Sequence, residues 1–103
     1  MKTNFLIPDD ANVTDLSYTE RKLNGVEIHG MFKIRIDFSN GYSLSIIKGK
    51  YSYGGEEGFY EIAPIGKEGR LNGELLGFEH DDDVKGWLTV DRVNDYISQM
   101  NKL

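Results

Sequence analysis

Glu56, Glu57 and Glu61 stand within six residues of one another, and paired carboxylates are the minimum equipment for glycoside chemistry. A chain of 103 residues leaves little room for a walled cleft around them, so no enzyme is expected. Nucleophilic catalysis is no better served. There is no cysteine and no Gly-x-Ser-x-Gly turn, and the only imidazoles are His29 and His80, neither of which has a serine and an orienting carboxylate in a recognisable pattern. The absence of cysteine also excludes disulfides and thiolate metal sites. Gly49-Lys50 and Gly66-Lys67 lack the preceding glycine and the following Ser/Thr of a phosphate loop. Gly54, Gly55 and Gly58 miss the dinucleotide spacing and precede a strand where that fingerprint needs a helix. His80 lies in the run Glu79-His80-Asp81-Asp82-Asp83, which has the oxygen donors a hard cation takes but not the twelve-residue loop with a distal glutamate. That run reads as a solvated loop, and neither a metal site nor a cofactor is expected.

Recognition chemistry is better represented. The stretch Gly49-Lys50-Tyr51-Ser52-Tyr53-Gly54-Gly55-Glu56-Glu57-Gly58 holds four glycines, two tyrosines and two adjacent carboxylates, and Tyr60 follows closely. Tyrosine offers large contact area at small rotamer cost, and tyrosines on glycine-rich loops are the composition of binding surfaces. The competing reading folds Tyr51, Tyr53 and Tyr60 back as lids over a core that already holds Phe32, Phe38, Tyr42, Phe59 and Trp87. Charge adds to the contrast. Residues 1–50 carry seven Lys/Arg and six Asp/Glu, whereas nine acids face two bases between Glu56 and Asp83. Such a balance disfavours direct contact with nucleic acid or an anionic membrane and suits a basic partner. Lys33, Arg35, Lys48 and Lys50 form at most a modest basic patch without interleaved aromatics, and read as a solvated face or an edge guard.

The elements that must position these residues are partly legible. Val26, Ile28, Phe32, Ile34, Ile36 and Phe38 fall on even positions with Glu27, His29, Met31, Lys33, Arg35 and Asp37 between them, the period of a half-buried strand, with Gly30 as a bend or bulge. A second strand follows from Tyr42. Asn40-Gly41 suggests a two-residue hairpin turn, but that register sets Phe38 against Ser43. A three-residue loop, Ser39 to Gly41, pairs Ile36 with Leu44 and Ile34 with Ile46 and keeps one apolar face, with Gly41 in the left-handed position. Phe59 to Ile65 reads as a third strand whose Pro64 marks an edge or an end, and Arg70 to Phe78 as a weaker fourth. Thr89 is a helix N-cap, Leu88 and Val93 a hydrophobic staple, and Val90, Val93, Ile97 and Met100 an apolar stripe. Within residues 1–25, Asn24-Gly25 serves equally as a hairpin turn or as the end of a short helix.

The segments FSNGYSLSIIKGKYSYGGEEGFYEIAPI and DDDVKGWLT resemble those of small bacteriophage accessory proteins, over about residues 36–100. The resemblance carries no catalytic residues. It implies a phage or prophage product in a bacterial cytoplasm, acting against a host or defence protein.

The expectation is therefore a single α+β domain over residues 1–103, an antiparallel sheet of three to five strands with a C-terminal helix packed on its apolar face. Its expected role is non-enzymatic binding to a basic surface of a host protein, one that itself handles nucleic acid, through an acidic face that mimics nucleic acid. The contact residues would be Tyr51, Tyr53, Glu56, Glu57, Tyr60, Glu79, Asp81, Asp82 and Asp83. Two other readings stay open: a small-molecule or cation-binding domain on the loop 49–58, and a structural or homo-oligomeric protein. The first ten residues carry only three consecutive apolar positions, Phe5 to Ile7, before Pro8. That is too short for a secretory core or a membrane span, so a cytoplasmic protein without a membrane partner is expected.

Overall fold

The strongest alternation in the chain forms the centre of the sheet. In the computed structural model, which describes residues 4–103, β4 (Met31–Asp37) pairs antiparallel with β5 (Ser43–Gly49). Ile36 lies opposite Leu44 and Ile34 opposite Ile46, the register of the three-residue loop. Phe38 N donates to the Tyr42 carbonyl at 2.9 Å, and Gly41 takes φ +91°, where glycine meets no steric penalty. Asn40 ties this loop down. Its Oδ1 accepts from Tyr42 N at 3.1 Å, and its Nδ2 donates to the Met100 carbonyl at 2.9 Å.

On one side of this pair runs β6 (Tyr60–Ile65), then the short edge strand β7 (Lys85–Leu88); on the other side lies β1 (Asn12–Asp15). The five strands are antiparallel throughout, in the order β1-β4-β5-β6-β7. Pro64 is one residue from the end of β6, and its carbonyl, turned away from β5, accepts from Asn72 N at 2.8 Å. The missing N–H therefore costs no ladder bond. Arg70 to Phe78 does not form a strand. Only Leu71 bridges to Ile65, and Gly73–Leu76 is a 3-10 turn capped by the Asn72 side chain and ended by Gly77 at φ +73°. Turn chemistry overrides a weak apolar pattern here.

Residues Asn12 to Asp37 form one long hairpin. Asn12 faces Asp37, Asp15 faces Ile34, Tyr18 faces Met31, Arg21 faces Ile28 and Leu23 faces Val26, a single register on both sides of Asn24-Gly25. Both turn residues have positive φ, +51° and +79°, as a two-residue type I′ turn requires. The reading of Asn24-Gly25 as a hairpin turn holds and the helix does not. Residues Met1 to Thr3 of that segment lie outside the described ones. The ladder is interrupted at Thr19–Glu20 and His29–Gly30, so the tip, β2 (Arg21–Leu23) with β3 (Val26–Ile28), forms a separate two-stranded sheet. Val26 is accordingly exposed despite its even position, because nothing packs on the tip.

The helix α1 (Val90–Asn101) starts at Thr89, whose hydroxyl accepts from Arg92 N at 3.3 Å. It sets Val93, Ile97 and Met100 into one core with Ile34, Ile36, Leu44, Ile46, Ile62 and Leu88, each buried aliphatic contributing about 1.5–3 kcal/mol. Tyr96 joins this stripe, its ring edge-on to Phe78 at 5.7 Å. Phe5 closes one end by packing on Phe32 and Tyr60. No helix among the described residues is long and apolar enough to cross a membrane.

Candidate functional site

The glycine-rich stretch between β5 and β6 is shaped by its own polar groups. Ser52, buried, accepts from Gly49 N at 2.9 Å and donates back to the Gly49 carbonyl at 3.0 Å. Ser52 N, Gly55 N and Phe59 N each find a carbonyl within the loop. Gly55–Glu57 is a 3-10 turn flanked by left-handed Gly54 and Gly58. Glu61, a candidate carboxylate by sequence, accepts from Tyr53 N at 2.9 Å, so one oxygen holds the loop rather than standing free for acid–base work. A Cβ on Gly55 would collide with the Gly49 carbonyl, which this tight turn passes at close range.

The loop lies against β7. Trp87 N donates to the Tyr53 carbonyl at 3.1 Å, and Gly86 passes so close to Tyr53 that a Cβ there would come within 2.2 Å of the tyrosine's own. Between Tyr60↔Leu88 and Ile62↔Lys85 the register slips by one residue. This β-bulge puts Trp87 at φ +59° and turns its indole out of the sheet. Trp87 is therefore not a core residue, contrary to the sequence reading. It is 57% exposed and lies 5.9 Å from Phe59. Its neighbour Tyr53 (61%) is exposed as well, as is Tyr51 (77%) two residues earlier on the loop. Lys50, Ser52, Tyr53, Gly54, Glu56, Glu57 and Trp87 surround an open pocket of about 240 Å³.

The sequence-derived contact residues divide into three groups. Tyr53, Glu56 and Glu57, all exposed, line the pocket together, while Tyr51, exposed on the same loop, lies outside the pocket lining with its ring edge-on to His29 at 5.4 Å. Tyr60 is separate. It is half-buried, edge-on to Phe5 at 5.1 Å and to Phe32 at 5.7 Å, and its hydroxyl accepts from Lys48 Nζ at 3.4 Å, the lid arrangement. Glu79, Asp81, Asp82 and Asp83, all exposed, lie at the other end of the β6–β7 pair, where Asp83 accepts from Gly73 N at 3.2 Å. Five strand steps from Tyr60 to Ile65 span on the order of 15 Å, so the two acidic clusters flank the β7 edge without meeting. Trp87 is the residue that sequence reasoning missed. The glycine directly before it was the available signal, since Gly86 is what admits the tyrosine loop.

Two carboxylates on the long hairpin have displaced pKa values. The Asp37 carboxyl is held below its ordinary range by the Ser43 hydroxyl (2.6 Å) and then by the Arg35 guanidinium (2.9 Å). Asp15 is lowered by the backbone N–H of Ser17. Both are structural pairings on the hairpin. A scan against protein-family models, a search of curated proteins and a search of solved structures each find no match to this chain.

Proposed function

We propose that the chain is a non-enzymatic protein-binding domain whose contact face is the Tyr51–Glu57 loop together with Trp87, and that its partner presents a basic surface. The observation that carries this is the pocket between Tyr53, Trp87 and the carboxylates Glu56 and Glu57. Aromatic faces beside carboxylates suit a cationic side chain, through cation–π attraction and ion pairing together. Its volume of about 240 Å³ falls short of the roughly 300–1,000 Å³ of small-molecule sites and is adequate for a single arginine or lysine side chain. The main chain that carries Tyr53 and Trp87 is held by hydrogen bonds from Tyr53 N to Glu61 and from Trp87 N to the Tyr53 carbonyl, which limits the backbone share of the ordering cost of association.

Glu79 and Asp81–Asp83, at the far end of β7, would steer a basic partner toward this pocket without entering it. A protein whose Lys/Arg normally hold phosphates offers such a surface, and the resemblance to phage accessory proteins makes a bacterial host or defence protein the class to examine. The test is affinity capture from bacterial lysate with the wild type, Trp87→Ala and the triple variant Asp81/Asp82/Asp83→Asn. Trp87→Ala should lose the specific partner, by about 30-fold in affinity if the indole is an anchor worth 2 kcal/mol. The triple variant should slow association and flatten its salt dependence. An identical retained set for wild type and Trp87→Ala would defeat the proposal.

A further inference from the structure

His29, one of the two imidazoles, lies outside the pocket described above and touches its loop through Tyr51. Along the long hairpin the pairing register that sets Tyr18 opposite Met31 and Arg21 opposite Ile28 also sets Glu20 opposite His29. Glu27 lies two residues before His29, hence on the same side of the strand. The three side chains converge, with His29 Nδ1 and Glu20 Oε1 3.5 Å apart and one ligand atom from each of Glu20, Glu27 and His29 within 4.8 Å of the others. Gly30 allows this approach: a Cβ there would lie 3.0 Å from Glu20 N and 3.2 Å from the Tyr18 carbonyl. Tyr51 packs edge-on against the imidazole at 5.4 Å, and the His29 side chain is only 21% exposed. Lys22, opposite Glu27, makes no ion pair with it among the described residues.

We propose that Glu20, Glu27 and His29 form a divalent transition-metal site of the zinc class, with its remaining coordination position open to water or to a partner's side chain. The donor set decides the class. One imidazole nitrogen with two carboxylate oxygens suits zinc, whereas calcium and magnesium take oxygen alone. Tetrahedral bonds of about 2.0–2.1 Å place neighbouring donors roughly 3.3 Å apart, close to the His29–Glu20 separation, and the Glu27 carboxylate, within 4.8 Å of both, would have to close in on binding. Bound metal would fasten the break in the ladder at Glu20 and His29, and through the His29–Tyr51 contact would steady one edge of the tyrosine loop. The run around His80, which the sequence reading takes as a solvated loop, has an exposed imidazole 3.4 Å from Asp81 and no third converging ligand among the described residues.

The experiment is calorimetric titration of the chelator-treated chain with ZnCl2, alongside thermal melts with ZnCl2 or MgCl2. The wild type should bind one zinc per chain and melt higher with zinc but not with magnesium. His29→Gln and Glu27→Gln should each weaken binding by at least about 10-fold, since even outer-shell losses cost 10–100-fold, while His80→Gln should bind as the wild type does. Glu27 is exposed on the hairpin tip and His29 lies just beyond it against Tyr51, and unchanged melting without metal confirms that each variant folds. Absence of saturable binding by the wild type up to about 1 mM zinc, or binding that survives both hairpin variants, or binding lost in His80→Gln, would each overturn the assignment.

Discussion

The substitution Gly86→Ala isolates the contact on which the candidate face depends. The Gly86 φ lies outside the left-handed region, so alanine meets no backbone penalty there and the consequence is steric. The new methyl would lie 2.2 Å from Tyr53 Cβ and 2.7 Å from the Tyr53 carbonyl oxygen. Carbon atoms in contact rest about 3.5–4.0 Å apart, so the loop has to retreat by more than about 1 Å. The 3.1 Å bond from Trp87 N to the Tyr53 carbonyl cannot survive that movement. Losing it costs about 1 kcal/mol, and forcing a methyl into a packed contact typically costs 1–3 kcal/mol. The expected destabilisation is about 2–4 kcal/mol if the loop stays docked, and less if it detaches, because detachment caps the cost at the loop's own docking free energy. At 2 kcal/mol the melting temperature would fall by roughly 8–16 °C for a domain of this size.

Two readouts separate these outcomes. Trp87 is the only tryptophan, so its fluorescence reports the local event during urea unfolding while circular dichroism reports the sheet. Amide exchange at Trp87 reports the bond itself. A docked but strained loop lowers both transitions together. A detached loop leaves the global transition near that of the wild type and removes protection at Trp87. Gly58→Ala serves as the comparison, because no atom lies within 4 Å of its Cβ although its φ is +87°, so it carries about 1 kcal/mol of backbone cost without a clash. Partner binding should fall in Gly86→Ala and not in Gly58→Ala. A Gly86→Ala protein within about 0.5 kcal/mol of wild type, with Trp87 amide protection intact, would refute the packing of the loop on β7.

Ser52→Ala removes the hydroxyl that bridges Gly49 N and O, leaving the part-buried Gly49 N–H without this acceptor, and should cost about 1 kcal/mol in urea unfolding with the loss concentrated in loop amide protection. Asn40→Ala breaks the link from the β4–β5 loop to the Met100 carbonyl at the end of α1 and should cost about 1 kcal/mol, read as early fraying of α1 by amide exchange. Ile46→Ala, at a fully buried position, should cost about 2–5 kcal/mol in the same unfolding assay. The Asp37 carboxyl titrates below its unfolded value. Its pairing with Ser43 and Arg35 therefore stabilises the fold above the ordinary carboxylate range and is lost as pH falls through the folded pKa. Asp37→Asn should accordingly flatten the acid limb of a stability-versus-pH curve and leave the alkaline limb unchanged.

The limits of what the sequence could reveal follow from which interactions are local. The β4–β5 register was legible because a one-residue slip would have set Phe38 against Ser43, a conflict visible from alternation alone. The N-cap at Thr89 and the stripe Val93, Ile97, Met100 were legible because they repeat within one element. Two Asn-Gly pairs looked alike and behave differently: Asn24-Gly25 is a two-residue turn, while Asn40-Gly41 closes a three-residue loop, and only the flanking apolar residues distinguish them. What stayed hidden depends on distant pairs. β7 could not be inferred from Lys85-Gly86-Trp87-Leu88, whose bulge departs from period two and whose glycine has meaning only against Tyr53, more than thirty residues earlier. The His29 cluster was hidden for a related reason. His29 was legible as a polar-face residue, but its convergence with Glu20 follows only once Asn24-Gly25 is a turn rather than a helix end, because that choice alone places Glu20 across from it. The sequence ambiguity in residues 1–25 and the unseen convergence of Glu20, Glu27 and His29 therefore have one cause, and zinc binding that is lost on replacing either His29 or Glu27 would support the hairpin register together with the metal.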